Sequence, residues 1–200
     1  MIADAIPYEL HLTLRGLEQG EEQAFLDFCA RNAAKPLLIE LARGQTSSQP
    51  MFSKVVSCLS IQEALRQMRA NAALLEVAGY SVCRLKMEVP AACACRATLP
   101  ETADFQPYYE WHGRIAYREV AALHLLCARF AVHLSRNALR QEAETRFITL
   151  REYGDEQHFS TRLDVLKSEL EAGAWTLFKE QSEYCVYDDN LALDKGWLSL

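Results

Sequence analysis

One short pattern occurs twice in this chain: Tyr8-Glu9-Leu10-His11 near the start returns as Tyr109-Glu110-Trp111-His112 past the middle. Cys29-Ala30-Arg31, followed by an apolar segment from Lys35, returns in the same order as Cys127-Ala128-Arg129 before an apolar segment from His133. A displacement of about 100 residues, met twice in order, marks an internal repeat, whose copies bury surface against each other. The chain is therefore read as two units of one kind.

Periodicity gives each unit its elements. Residues 8–14 alternate, with Tyr8, Leu10, Leu12 and Leu14 on one face and Glu9, His11 and Thr13 on the other, the pattern of a strand with one buried face. Residues 21–33 place Phe25, Phe28, Cys29 and Ala33 at helical spacing. Residues 35–41 and 51–59 are β-rich around a turn region at 44–50 and form a hairpin. Ser60, with Glu63 three residues on, is a capping box for a helix that runs to Ala78 and stops at Gly79. Residues 82–89 close the unit as a strand, with Val82, Leu85, Met87 and Val89 to bury and Arg84, Lys86 and Glu88 turned outward.

The second unit repeats this order. A strand at 108–116 and a helix at 119–130 precede a hairpin of 132–139 and 145–153; a helix at 160–173, capped by Ser160, and a strand at 175–187 follow. The order βαββαβ resembles a ferredoxin-like fold. The expectation is an α+β protein, a tandem duplication of a ferredoxin-like βαββαβ unit, whose antiparallel sheets carry helices on one face and form a cleft or barrel with the other. Residues 1–90 are the first repeat, 91–107 an Ala- and Pro-rich linker, 108–190 the second repeat, and 191–200 a C-terminal tail that docks back with Trp197.

Composition narrows the class. A net charge of −6 without basic runs argues against general nucleic-acid binding and against an acidic membrane surface. No apolar stretch approaches the roughly 20 residues that cross a bilayer; the richest, 120–132, carries His124 and Arg129. The opening MIADAIPYEL lacks the features of a signal peptide, so the expectation is a cytoplasmic protein whose seven cysteines are reduced. Cys29, Cys58, Cys83 and Cys127 read as small core hydrophobes, and Cys93-Ala94-Cys95 is C-x-C within the linker rather than a C-x-x-C metal or redox pair. Neither a Gly-x-Ser-x-Gly elbow nor a Gly-rich phosphate loop is present.

The chemistry lies on the polar strand faces. Glu9, His11 and Thr13 from one unit join Glu110, His112 and Arg114 from the other; His133, Ser135 and Asn137 share a face of the second hairpin, and Lys86, Glu88, Lys179 and Glu183 come from the closing strands. Imidazoles transfer protons near neutral pH. Lys and Arg hold phosphate or carboxylate oxygens. This inventory suits a small anionic ligand, although an antiparallel sheet with one solvated face shows the same alternation. Glu9-x-His11 and Glu110-x-His112 each share a strand face, which suits either a divalent metal such as Zn or Mn or cross-strand ion pairs. Arg140, Arg146 and Arg151 flank the second hairpin as anion clamps but cannot all share one face. Asp188 and Asp189 read as turn formers, His124 as a core histidine and His158 as loop.

His11-Leu12-Thr13-Leu14 and His133-Leu134-Ser135-Arg136 both fit His-x-Thr/Ser-x. This resembles the paired motif of the 2H phosphoesterases, the family of LigT-like RNA ligases and cyclic phosphodiesterases. The resemblance implies His11 and His133 as an acid/base pair, with Thr13 and Ser135 holding the phosphate. The internal repeat instead matches His11 to His112 and His133 to Lys35, which makes His112 a third candidate. The expected function is binding of a phosphorylated small molecule or nucleotide end in a polar cleft, with His-dependent phosphoesterase chemistry. Its competitor is a non-catalytic binding module, or a homodimer assembled through sheet edges or open sheet faces.

Overall fold

A computed structural model describes residues 4–97, 105–139 and 144–196. In chain order the elements are β1 (Ile6–Leu14), α1 (Glu22–Arg31), β2 (Lys35–Leu41), β3 (Ser48–Cys58), α2 (Ile61–Val77) and β4 (Val82–Pro90). After a 3-10 turn at Ala91–Arg96 come β5 (Tyr108–Ala116), α3 (Val120–Phe130), β6 (His133–Asn137), β7 (Thr145–Glu152), α4 (Glu156–Ala172), β8 (Leu177–Asp188) and a second 3-10 turn at Leu191–Asp194.

The eight strands close into one antiparallel barrel in the order β1-β3-β2-β6-β7-β5-β8-β4. Within the first half the neighbours run β4-β1-β3-β2, and within the second β8-β5-β7-β6. The halves join twice, through β2 and β6 at Leu41↔Ser135 and through β4 and β8 at Lys86↔Asp188. Each described strand therefore has two neighbours, and closure removes the free edges through which sheets associate. The edges and open faces that offered a homodimer in the sequence are taken up within one chain.

Alternation then sorts the side chains. Outward-facing Tyr8, Leu10, Leu12 and Leu14 are buried with Phe25, Cys29, Phe52, Met68 and Leu75, between the first half of the wall and α1 and α2. Trp111, Ile115, Ile148 and Leu150 are buried with Leu123, Phe159, Leu166 and Leu170 beneath α3 and α4. The apolar cores thus lie outside the barrel, because helices crossing between strands must bury their stripes on a sheet face. Full burial of each such Leu contributes about 1.5–3 kcal/mol. Arg84, Lys86 and Glu88, read as solvent-directed, project the other way and are buried inside the barrel.

Local signals explain where elements begin. Ser60 Oγ accepts the Glu63 N–H at 3.3 Å, and Gly79, at φ +92°, follows α2 in the left-handed region that glycine tolerates. α4 starts at Asp155 rather than Ser160: the Asp155 carboxylate accepts the His158 N–H at 2.8 Å, and Phe159 already begins the buried stripe. His158 is therefore helical and exposed, not loop. His124 is exposed as well, because Leu123, Leu126 and Cys127 form the buried face of α3.

Residues 91–97 form a joint rather than slack chain. Ala91 and Ala94 pack on the second core, while Cys93 and Ala97 pack on the first. Cys29, Cys58 and Cys127 are buried, Cys83 is only half-buried, and all seven cysteines are free thiols. Arg140 and Trp197 lie outside the described residues. Among the described residues no helix is long and apolar enough to cross a membrane.

Candidate functional site

The inward face of the barrel encloses a cavity of about 260 Å³. Among its exposed or half-buried lining residues are the cations Lys35, Arg114 and Lys179 and the carboxylates Glu9 and Glu180, with Phe147 and Gln181. The deeply buried ones, Arg84, Lys86, Glu88, Glu110, Arg151 and Asp194, make its floor. Strand register puts these groups in contact, since Glu9 stands opposite Glu88, His11 opposite Lys86 and Glu110 opposite both Arg151 and Glu183.

On the floor every charge has an opposite. Lys86 Nζ lies 2.8 Å from Glu88 Oε1 and 2.5 Å from Glu110 Oε2. Arg151 donates to Glu110 Oε1 at 2.7 Å and to Asp194 Oδ2 at 2.8 Å. Arg84 forks both Asp188 and Asp194, and the Tyr108 hydroxyl donates to Asp188 at 2.8 Å. Isolated charges could not stay ionised there; these hold because geometry and hydrogen bonds offset desolvation. Burial works against ionisation of Glu110, but Lys86 and Arg151 hold its carboxyl well below the usual range. Burial likewise opposes ionisation of Glu88, and Lys86 with a hydrogen bond from His11 brings it down to about 2.

Two His–Glu pairs line the same cavity. His11 Nε2 lies 3.0 Å from Glu88, and His112 Nε2 lies 3.3 Å from Glu110, with Thr149 Oγ1 2.9 Å from its Nδ1. Burial lowers the His112 pKa, but Glu110 more than offsets this, so the ring is raised above its ordinary value. With its Nε2 proton toward Glu88, a neutral His11 ring presents Nδ1 as a base, and Nδ1 is buried with no hydrogen-bond partner. Glu183 lies 3.7 Å from His112 Nε2; burial, reinforced by Glu88, pushes its carboxyl up to about 8.

The site residues expected from sequence land unevenly. Glu9, His11, Lys86, Glu110, His112, Arg114, Ser135, Asn137 and Lys179 all line the cavity. Thr13 does not: it is buried beyond the floor, against a separate cavity. His133 does not line the cavity either. Arg43 Nη2 lies 2.9 Å from its Nδ1, and burial with Arg43 and Arg151 nearby lowers its pKa to about 4. Of the arginines flanking the second hairpin, Arg151 is in the floor, whereas Arg146 covers the Tyr117 ring on the outer face at 4.0 Å.

Asp194 and the inward role of Arg84 were missed in sequence, and Asp188, read as a turn former, is an ion-pair partner. Period-two alternation from Lys86 and Glu88 back to Arg84 was the available signal for Arg84. For a metal, Glu88, Glu110 and His112 each bring a ligand atom within 4.8 Å of the others, a different set from the two Glu-x-His pairs. The Lys86 ammonium already bridges Glu88 and Glu110, so a divalent ion would have to displace it.

The chain matches no protein-family model and no curated protein.

Proposed function

We propose that the lumen binds the phosphate of a small phosphorylated molecule or nucleotide end and that His11 and His112 act on it as base and acid. The observation that carries this reading is His11, whose ring lines a cavity that also presents Lys35, Arg114 and Lys179 and whose buried Nδ1 has no hydrogen-bond partner. Among the described residues no carboxylate pairs with Lys35 or Lys179, in contrast to the matched cations of the floor. Phosphate oxygens suit such donors.

The dyads then divide the labour. His11, oriented by Glu88, takes a proton from the attacking water or hydroxyl, and His112, oriented by Glu110 and raised in pKa, returns one to the leaving oxygen. Glu183, whose carboxyl burial raises beside His112, is a second proton reservoir. A LigT-like assignment would use His11 with His133; the pairing of His11 with His112 is favoured here because both line the cavity, whereas His133 is not among its lining residues and burial lowers its pKa to about 4. We further read the two halves as copies of one ferredoxin-like βαββαβ unit. Their identical strand orders and the equivalent Glu-x-His placements on β1 and β5 support this.

Thermal unfolding against nucleotides, cyclic phosphates, phosphomonoesters and inorganic phosphate tests the reading. A ligand at 100-fold its dissociation constant adds about 2.7 kcal/mol, and the shift should fall in a Lys35→Ala/Lys179→Ala variant. With a hydrolysable ligand, His11→Ala or His112→Ala should lower turnover by about 10²–10⁴. No shift across the panel would refute ligand binding, and fully active histidine variants would refute the chemistry.

A further inference from the structure

We propose that Arg84 and Arg151 form a second oxyanion site at the closed end of the barrel, occupied in this state by Asp194 from the chain's own segment and taken by a phosphate group when that segment withdraws. This goes beyond the lumen reading, which uses the cations Lys35, Arg114 and Lys179 and the two His–Glu pairs.

The occupancy is geometric. Arg84 Nη1 and Nη2 reach Asp194 Oδ1 and Oδ2, both at 2.9 Å, and Arg151 Nη2 reaches Oδ2 at 2.8 Å. Arg84 forks the carboxylate and Arg151 adds a single bond to one of its oxygens, and guanidinium groups converging on one anion in this way suit phosphate. Both cations keep other partners, Asp188 for Arg84 and Glu110 for Arg151, so both stay positioned if Asp194 leaves.

A carboxylate does not use all that the site offers. Thr13 Oγ1 and Arg151 Nη1 are buried without a hydrogen-bond partner, and Thr13 stands directly opposite Arg84 in the β1–β4 pairing. Each unmade bond of a buried polar group costs about 1–3 kcal/mol. A planar carboxylate presents two oxygens, whereas a tetrahedral phosphate presents further oxygens to such spare donors.

The carrier of Asp194 is also a partition. Arg84 lines both the lumen and a second cavity of about 660 Å³ beyond it, which Thr13, Asn190 and Leu193 also line. The 3-10 turn that holds Asp194 has only four residues, with Ala192 exposed and Leu191 and Leu193 half-buried. Its neighbour Lys195 is tied back by one backbone bond, from Gln45 N–H at 3.2 Å. At its start Asn190 Nδ2 donates to the Cys83 carbonyl at 2.8 Å, so the turn is held at both ends and, between them, by the buried Asp194 carboxylate, whose withdrawal vacates the Arg84–Arg151 pair.

An intramolecular competitor lowers apparent affinity in proportion to the fraction of time it fills the site. Titration calorimetry with inorganic phosphate should therefore show binding at least about ten-fold tighter for Asp194→Ala than for the wild type. Arg151→Lys in the Asp194→Ala background, which keeps the charge and loses the planar donors that reach Glu110 and the Asp194 position together, should forfeit most of that gain. Equal affinities in wild type and Asp194→Ala, or a gain that Arg151→Lys leaves intact, would overturn the proposal. If Asp194→Ala does not fold, hydrogen exchange on the wild type decides: phosphate should speed exchange of residues 191–196, and unchanged exchange there overturns the proposal. Neither readout depends on His11 or His112, so failure here and failure of the lumen reading are told apart.

Discussion

The outer and inner faces of the barrel wall are built from the same strands, yet they are two different kinds of core. On β1, Leu10 and Leu12 are buried among aromatic and aliphatic side chains, while between them His11 enters a lumen of paired charges. The outer face stabilises by removing apolar area from water, which depends little on pH. The inner face trades desolvation for ion pairing, so it adds little net stability but is intolerant of losing one partner. Stability is thus separated from chemistry by a single residue step along each strand.

The largest expected effect is on the inner face. Glu110→Ala takes one of two buried carboxylates from both Lys86 and Arg151, leaving them Glu88 and Asp194, and should destabilise by about 3–5 kcal/mol in chemical denaturation, with weak salt dependence because the groups are enclosed. Leu12→Ala on the outer face should cost about 2–5 kcal/mol through lost burial and a cavity. Its cost should be the same at pH 5 and pH 8. A Leu12→Ala cost that varies with pH as strongly as that of Glu110→Ala would break the contrast between the faces.

Titration sharpens it further. The Glu183 carboxyl is raised from 4.5 to about 8 in the fold, so the folded state holds a proton that the unfolded state has released. Its contribution to stability is complete below pH 4.5 and is lost as pH rises to about 8, with a slope of at most about 1.4 kcal/mol per pH unit. Glu183→Gln should flatten stability across that window. Glu88 runs oppositely: lowered to about 2, it stabilises above its ordinary value of 4.5 and loses that contribution as pH falls toward 2. The smallest effect is at an exposed cation, where Lys179→Ala should change stability by no more than about 0.5 kcal/mol while weakening ligand binding.

Much of this division was legible in the alternation of Tyr8 to Leu14, because strand period alone assigns Glu9, His11 and Thr13 to one face. Alternation cannot say whether that face meets water or another part of the same sheet. The matched charges of Arg84 with Asp188 and Asp194, 104 and 110 residues away, arise only on closure. Asp194 sits in a turn too short to carry any periodicity. His133 matched a plausible motif, but the burial that lowers its pKa comes only with the fold, and Arg43, which adds to that shift, is 90 residues away. At α4 both Asp155 and Ser160 are competent caps, and the apolar stripe beginning at Phe159 decides between them.

The most direct test uses the chain's five histidines as internal reporters. His11, His112 and His133 lie inside the wall, while His124 and His158 are exposed outside it. In NMR spectra of the histidine-labelled protein, a phosphorylated ligand from the panel should shift the ring signals of His11 and His112 and leave those of His124 and His158 in place. Without ligand, His133 should titrate near pH 4 and His112 above its ordinary value. Ligand-induced shifts confined to His124 or His158, or no response of His11 and His112 to any phosphate compound, would contradict the lumen as the binding site.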